Sequence, residues 1–252
     1  GGNTPGTDDC NTLATINARD TVFERCNFVN IRATAQLVMS HGIGTTVFRS
    51  CRIGGCGASN DSTTGLIYAN GVDLHVEDCY VFDYGYSQGQ QYVDKQNVSK
   101  PWVFYRGNAT PGGGISGSVS LVGNFFDEGR QRSADIAKTG VGPRLRSVVM
   151  RNNRHWLGGL GAYSISGADS VSICDDEFAG NPITTAVLLR DTRHALIQRC
   201  QAQTLAACEV DADNTVTAVT LDENRDLTRA AGWAAGKTVA WQDGVPTFET
   251  NV

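Results

Sequence analysis

The sequence predicts an all-β fold, namely a single-stranded right-handed parallel β-helix of roughly eight to ten coils. Three observations support this prediction: a short phrase recurs along the chain, most copies follow one another at similar intervals, and the copies have the apolar pattern of short strands. No segment shows the three- and four-residue apolar spacing that a helical repeat requires. Residues 1–252 are therefore interpreted as one solenoid domain, in which each coil contacts only its neighbours.

The recurring phrase contains one small residue that aligns in a column through all copies. The copies read TVFERCNF, TVFRSCRI, LHVEDCYV, VSLVGNFF, VVMRNNRH, VSICDDEF, ALIQRCQA and VTLDENRD. The column residues are Cys26, Cys51, Cys79, Asn124, Asn153, Asp176, Cys200 and Asn224. Adjacent members are 23 to 29 residues apart, except for 45 residues between Cys79 and Asn124. Such a repeat of short β-type runs is typical of coils that pair as parallel strands.

The column predicts a ladder of side chains at one bend of each coil. The residues three places before it are all apolar, from Phe23 to Leu221, and those two places after it are mostly apolar. An inward polar side chain at such a bend can hydrogen-bond the backbone of its own turn and of the next coil, about 4.8 Å away. Asparagine satisfies these backbone groups best, whereas cysteine fills the position as a compact apolar residue.

Three segments depart from the regular repeat. Residues 85–117 and 127–145 are predicted to be inserted loops, and residues 228–252 are predicted to be a C-terminal extension or cap. The long interval between Cys79 and Asn124 is consistent with either one additional, poorly marked coil or long loops. Because insertions in a solenoid project from one side, these loops are candidate positions for function.

Composition and charge restrict the classes of partner. The chain has 26 acidic and 21 basic residues and a net charge of −5, which argues against a nucleic-acid partner. No apolar run approaches the roughly 20 residues that cross a bilayer, so membrane insertion is not expected. The eight cysteines lack the paired spacing of a metal site. Cys10, Cys56 and Cys208 lie outside the column and could pair in an oxidising compartment.

From about Cys51 to Pro182 the chain resembles the polysaccharide lyases of family 1, in the pectin and pectate lyase superfamily of parallel β-helices. The stretch SVSLVGNFFDEGRQR resembles a family strand that ends in Asn and is followed by an aromatic residue and two arginines, here Arg130 and Arg132. VVMRNNRHW and AYSISGADSVSICDDEFAGNP resemble the next two coils of the family. KPWVFYRG resembles a segment that places a lysine, here Lys100, near the cleft.

The resemblance implies β-elimination of an acidic, uronate-containing polysaccharide. This reaction removes the proton beside the uronate carboxylate and expels the glycosidic oxygen, so it needs a base and positive charge near the enolate that forms. In the family an arginine is the base, and the matching residue is Arg132. The further catalytic candidates are Arg130 and Lys138.

The resemblance also implies residues that bind substrate and metal. The candidates for substrate binding are Lys100, Arg106, Arg154 and His155, and because His155 follows the ladder inward, a packed or edge histidine is the alternative for it. The family uses calcium to bridge the uronate to protein carboxylates, and hard cations of this kind need several oxygen ligands. The candidate calcium ligands are Asp61 and Asp94.

The chain departs from the family where the relatives continue Arg-x-Pro-Arg, because it has Arg132-Ser133-Ala134-Asp135 instead. A carboxylate three residues after Arg132 favours the protonated guanidinium, which is the wrong form for a base. The sequence therefore leaves both cleavage and recognition of an acidic polysaccharide open. Acidic runs at 127–128 and 175–177 keep glycoside hydrolysis as a further alternative, although neighbours on a strand point to opposite faces.

The alternative function is that of a non-catalytic virion or surface protein. Phage tailspikes and virion decoration proteins resemble this architecture, and many of them are side-by-side trimers. The C-terminal stretch GKTVAWQDGVPTFETNV is apolar and extended, as expected of a segment that pairs with or caps another element. This interpretation predicts an extracellular or virion-surface protein and a homotrimer or larger assembly.

Overall fold

A computed structural model describes most of the chain between residues 10 and 226. The described residues are 10–16, 19–29, 33–41, 44–54, 67–84, 101–107, 117–129, 132–157, 161–180, 185–203, 208–213 and 215–226. The predicted C-terminal extension, 228–252, lies outside them.

Three parallel sheets of eight strands each make up the described structure. Sheet 1 contains β1 (Cys10–Ile16), β4 (Ala33–His41), β7 (Ile67–Asn70), β10 (Val103–Arg106), β13 (Ala134–Ala137), β16 (Tyr163–Ser166), β19 (Thr185–Arg190) and β22 (Cys208–Ala212). Sheet 2 contains β2 (Asp20–Glu24), β5 (Thr45–Arg49), β8 (Asp73–Glu77), β11 (Val119–Val122), β14 (Leu145–Arg151), β17 (Ala168–Cys174), β20 (His194–Gln198) and β23 (Ala218–Asp222). Sheet 3 contains β3 (Asn27–Val29), β6 (Arg52–Gly54), β9 (Tyr80–Tyr84), β12 (Phe125–Gly129), β15 (Arg154–Leu157), β18 (Glu177–Gly180), β21 (Gln201–Gln203) and β24 (Arg225–Asp226).

The chain passes through sheet 1, sheet 2 and sheet 3 in turn and then repeats this path. Each strand therefore pairs in parallel with the strand three places further along the chain, as β11 pairs with β14 and β14 with β17. The described residues contain no helix. The prediction of an all-β parallel β-helix is confirmed.

The bend from sheet 2 to sheet 3 has the same two-residue length in every coil. Its first residue has a positive φ, and seven of the eight such residues are not glycine: Arg25, Ser50, Asp78, Asn152, Asp175, Arg199 and Glu223, with Gly123 as the eighth. This backbone conformation costs about 1 kcal/mol for a residue with a Cβ. It aims the next residue into the solenoid, and that residue is in each case the member of the predicted column.

The predicted ladder is present, and its amide members bond the backbone of the preceding coil. The Asn124 Oδ1 accepts from the backbone N–H of Cys79 at 2.9 Å, and its Nδ2 donates to the Val76 carbonyl at 2.8 Å. Asn153 repeats the same pair of bonds one coil further on, to the Asn124 N–H and the Leu121 carbonyl. Backbone groups that the bend would leave unpaired are thereby satisfied inside the solenoid.

The core consists of the inward-facing residues of all three sheets. Strands such as β10 and β16 alternate strictly between buried and half-buried side chains, as a sheet with one covered face requires. Identical register from coil to coil stacks like residues, for example Phe126, His155 and Phe178, whose ring centroids are 4.9 and 5.3 Å apart. Core volume is therefore filled column by column along the axis.

The long interval between Cys79 and Asn124 does not contain an additional coil. The strand β8 pairs directly with β11, and β9 pairs directly with β12, so these column members occupy neighbouring coils. The predicted loop regions are also partly regular, because β10 lies within 85–117 and β13 lies within 127–145. The other parts of the predicted loop 85–117, residues 85–100 and 108–116, lie outside the described residues.

Candidate functional site

The structure divides the predicted site residues between two faces and the interior. Arg106, Arg132 and Lys138 lie on or beside sheet 1, in the coil of β10 and the coil of β13. Arg154 lies on the outer face of sheet 3, and His155 points into the core. The remaining predicted residues, Arg130, Lys100, Asp61 and Asp94, lie outside the described residues.

The outer face of sheet 1 has a floor of small side chains, which we call the sheet 1 floor. It consists of Ala137 on β13 and of Ser164 and Ser166 on β16, all half-buried and facing outward. The register sets Ala137 beside Ser166, and Ser164 beside Asp135. Because these side chains are short, the backbone of the sheet lies close to the protein surface here.

Two ion pairs border the sheet 1 floor. On one side, both terminal nitrogens of Arg106 contact the Asp135 carboxylate at 3.2 Å, and on the other side Arg190 Nη2 contacts Asp211 Oδ2 at 3.0 Å. Arg106 and Arg190 occupy one register row, three strand steps apart, which corresponds to about 14 Å. Arg190 Nε also contacts Asp213 Oδ2 at 3.2 Å, so the floor is a shallow trough with a guanidinium and one carboxylate at one end and a guanidinium and two carboxylates at the other.

Arg132 lies beside this trough. Its Nη1 donates to the Tyr163 carbonyl at the start of β16, at 3.3 Å. Burial lowers the pKa of Arg132, the charge of Arg190 lowers it further, and the Asp135 and Asp211 carboxylates oppose both effects. Since charges at both ends of the floor act on it, Arg132 is electrostatically central to the trough.

Lys138 is held at the corner between sheet 1 and sheet 2. Its Nζ contacts Asp191 Oδ2 at 2.7 Å, and its stem packs against Gly167, where an added Cβ would lie 2.3 Å from Lys138 Cγ. Gly167 has φ +75°, so it also favours glycine for conformational reasons. These contacts account for Lys138 structurally, and its catalytic assignment stays a prediction.

Aromatic rings extend the outer face of sheet 1 toward β7. Tyr68 and Phe104 stack with centroids 5.9 Å apart, and the Arg106 guanidinium lies 3.6 Å from the Phe104 centroid. At this distance the guanidinium is attracted by the quadrupole of the ring, while its two terminal nitrogens remain hydrogen-bonded to Asp135. The face therefore combines flat apolar rings, paired charges and hydroxyl groups.

Inside the solenoid, a chain of hydrogen bonds begins at the corner between sheet 3 and sheet 1 and ends at the ladder. Ser133 Oγ lies 2.9 Å from His155 Nδ1, His155 Nε2 lies 2.7 Å from Tyr163 Oη, and Tyr163 Oη donates to Asp176 Oδ2 at 2.5 Å. Asp176 is the acidic member of the ladder, and its Oδ1 accepts from the Asn153 N–H. We call Ser133, His155, Tyr163 and Asp176 the buried relay.

The direction of the buried relay follows from its acidic end. Because the Tyr163 hydroxyl donates to Asp176, its oxygen accepts from His155 Nε2, which leaves Nδ1 to accept from Ser133. Burial lowers the pKa of His155 to about 3 and raises that of Asp176 to about 7, although hydrogen bonds from Tyr163 and Asn153 oppose the second shift. Burial and the Asp176 charge raise the pKa of Tyr163. The histidine is therefore neutral in the fold.

His155 has no exposed surface, so a polymer outside the solenoid cannot contact it, and its assignment to substrate binding is corrected. Ser133, at 4% exposed, is likewise no accessible nucleophile despite its histidine partner. Sequence reasoning missed Ser133 and Tyr163. The available signal was the pair of polar residues, His155 and Asp176, in columns that are otherwise apolar or amide.

The three residues of the acidic run 175–177, considered for hydrolysis, point in different directions. Asp175 has a positive φ and pairs with Arg199, Asp176 points inward, and Glu177 pairs with Arg154 on the outer face. Within the described ranges, no cluster of three or more histidine, cysteine or acidic residues is arranged to hold a metal ion. The calcium candidates Asp61 and Asp94 fall outside those ranges, so calcium stays a prediction.

The described cysteines of the ladder, Cys26, Cys51, Cys79 and Cys200, are free thiols. Burial raises the pKa of Cys79 to about 12, which makes it unreactive. None of the described segments is a helix long and apolar enough to cross a membrane. No family model, curated protein or solved structure matches the chain significantly.

Proposed function

We propose that the chain is a carbohydrate-recognising β-helix that binds an acidic polysaccharide along the outer face of sheet 1, with the sheet 1 floor and Arg132 at the centre of the contact. The observation that carries the proposal is the half-buried Arg132 beside a floor of small residues bordered by two arginine–carboxylate pairs. The resemblance of the sequence around Arg132 to lyases of uronate polymers supports the same class of ligand.

Each part of the face suits one part of a sugar polymer. A planar guanidinium binds a carboxylate through two parallel hydrogen bonds, which a uronate supplies. Ser164, Ser166 and the carboxylates of Asp135 and Asp211 offer donors and acceptors for sugar hydroxyls. The Tyr68 and Phe104 rings add apolar surface next to these polar groups, as ligand sites commonly do.

Recognition is better supported than cleavage because the arginines and lysine are already engaged. Among the described residues of this face, Arg106 is paired with Asp135, Arg190 with Asp211, and Lys138 with Asp191, and paired cations are less able to stabilise an enolate. One observation favours β-elimination as the second candidate: burial lowers the pKa of Arg132, in the direction that a base requires. The nearby carboxylates of Asp135 and Asp211 oppose it.

The test is calorimetric titration of the full chain with hexasaccharides of galacturonate, guluronate and glucuronate. We expect at least one to bind, and Arg132→Ala to weaken it by about tenfold or more, as loss of a charge-assisted contact implies. The matched control is Arg49→Ala, which removes the same charge from a half-exposed arginine on sheet 2. Failure of every uronate to bind, or wild-type affinity in Arg132→Ala, would show that the proposal is wrong.

The same samples separate recognition from cleavage. Elimination produces an unsaturated uronate that absorbs in the ultraviolet, whereas recognition leaves the polymer intact. We expect binding without product. Product formed by the wild type and lost in Arg132→Lys, which keeps the charge but not the guanidinium, would instead establish the second candidate.

A further inference from the structure

The outer face of sheet 3 carries a second group of aromatic residues. It is a different face of the solenoid from the one that carries the sheet 1 floor. Tyr80 stacks on Phe82 and on Phe125, with centroids 4.9 and 5.4 Å apart. The guanidiniums of Arg52 and Arg154 lie 4.8 Å from Phe82 and 5.7 Å from Phe125. These three rings are therefore covered by one another and by arginines.

Trp156 differs from these rings. It lies on β15 of the same face and is 47% exposed, and it is the only aromatic residue among the exposed large apolar side chains of the described structure. Among the described residues, no ring or guanidinium stacks on it. Single exposed apolar side chains are common on protein surfaces, so the neighbourhood of Trp156 decides whether it suits a ligand.

Trp156 lies in one register row with Asp127 on β12 and Ala179 on β18. Ala179 faces outward and is only 2% exposed, and its neighbours in this row are Trp156 and Gln203 on β21. About half of the Trp156 surface remains accessible to a ligand.

Polar side chains occupy the outward strand positions next to Trp156. Arg154 Nε contacts Glu177 Oε2 at 3.2 Å in the adjacent column, and Asp127 is anchored by the Tyr80 hydroxyl at 2.7 Å. All are carried by strands paired on both sides, so little conformational entropy remains to be lost on binding. The surroundings contain two carboxylates and one guanidinium, and this excess of negative charge disfavours an anionic ligand.

We infer that Trp156 is a binding site for a neutral sugar ring, which stacks on the exposed surface of the indole while Asp127, Arg154 and Glu177 bond its hydroxyls. The site lies on a different face from the proposed uronate site and does not depend on it. A flat apolar ring with donors and acceptors beside it suits a pyranose, because a pyranose has an apolar face and hydroxyl groups around its edge.

The experiment is calorimetric titration of the full chain with neutral hexasaccharides of glucose, mannose, galactose and xylose. We expect at least one to bind. Trp156→Leu should weaken it about tenfold or more, whereas Trp156→Phe, which keeps a flat ring, should cost clearly less. The control Val22→Ala, at another exposed apolar residue, and Arg132→Ala should both bind the neutral sugar as the wild type does.

Three results would overturn the inference: no neutral hexasaccharide binds, Trp156→Leu binds as tightly as the wild type, or the wild type self-associates in sedimentation and Trp156→Leu does not. The last result would identify the face as an interface between copies of the chain. Because uronates report on Arg132 and neutral sugars on Trp156, failure of one site is distinguishable from failure of the other.

Discussion

The first coils of the ladder contain a thiol part, Cys26, Cys51 and Cys79, followed by an amide part, Asn124 and Asn153, which occupies the same bend with different chemistry. In the thiol part, Cys51 N–H meets Cys79 Sγ at 3.4 Å, and Cys79 Sγ meets the Phe48 carbonyl at 3.7 Å. In the amide part, Asn124 and Asn153 make the equivalent bonds at 2.8 to 3.0 Å. The bend is the same in both, so it requires a small inward residue rather than an amide.

The difference also shows where the solenoid tolerates buried polarity. The amide part leads directly to Asp176 and through it to the buried relay, whereas the thiol part is surrounded by apolar side chains. A hydrogen-bonded network is stabilising only when every member is satisfied, so the amide part depends on its neighbours more than the thiol part does. Substitutions in the two parts should therefore have unequal effects.

The largest expected effect is the loss of an amide. Asn153→Ala leaves the Leu121 carbonyl and the Asn124 N–H without these partners inside the core, and each such group costs about 1–3 kcal/mol, so the free energy of unfolding should fall by about 3–5 kcal/mol. The matched change Cys79→Ala should cost only about 1–2 kcal/mol, since it mainly removes volume. Chemical denaturation of both variants measures the difference. Equal losses would contradict the distinction between the two parts.

A second prediction concerns the pH dependence of stability. His155 has a lowered pKa in the fold, so its contribution is present above its unfolded pKa of about 6.5 and is lost as pH falls toward 3. Asp176 has a raised pKa, so its contribution is present below its unfolded pKa of about 3.9 and is lost as pH rises through about 7. Between about pH 4 and 6.5 the two groups therefore change the free energy of unfolding with pH in opposite directions, each through one proton.

Single variants should expose these opposing slopes. Relative to the wild type, Asp176→Asn should lose stability as pH falls from about 6.5 to 4, at up to about 1.4 kcal/mol per pH unit. His155→Phe, which continues the Phe126 and Phe178 stack, should instead lose stability as pH rises from about 4 to 7. Thermal unfolding of the three proteins across this range is the measurement. If stability changed with pH in the same direction in both variants, the opposing contributions of His155 and Asp176 would be refuted.

The smallest effect sharpens the comparison by converting a thiol into an amide. Cys79→Asn places Oδ1 toward the Cys51 N–H and Nδ2 toward the Phe48 carbonyl, the positions that Asn124 uses one coil further on. We expect stabilisation of about 1 kcal/mol, because two weak sulfur contacts become amide hydrogen bonds. Cys79→Val, which is apolar and similar in size, should not stabilise. Denaturation midpoints compare the two variants.

Much of the fold follows from local spacing. The column from Cys26 to Asn224, and the apolar positions around it, are readable because each coil stacks on its neighbour in one register, so an inward position recurs at a fixed offset from the bend. The spacing from the bend does not predict strands such as β10, because the number of residues between the bend and these strands differs from coil to coil. That region was therefore interpreted as loop or additional coil.

The candidate site was less predictable. The sequence indicated Arg106 and Arg132, but not that Arg190 and Asp211 lie in the same trough, because these come from coils separated by many residues. It indicated an inward His155 but not the partners Ser133 and Tyr163 that this ring meets. It gave no reason to expect Trp156 to be exposed, since exposure depends on side chains in neighbouring coils.

The sequence alone determined the repeat, the bend and the choice of inward residues, because hydrophobic burial and backbone hydrogen bonding act within a coil and between adjacent coils. Only the tertiary structure decided which side chains meet across the solenoid interior and which share an outer face. Those contacts depend on the cross-section of the coil and on how the corners stack, and residue spacing encodes neither. The buried relay, the sheet 1 floor and the exposed surface of Trp156 all belong to this second class.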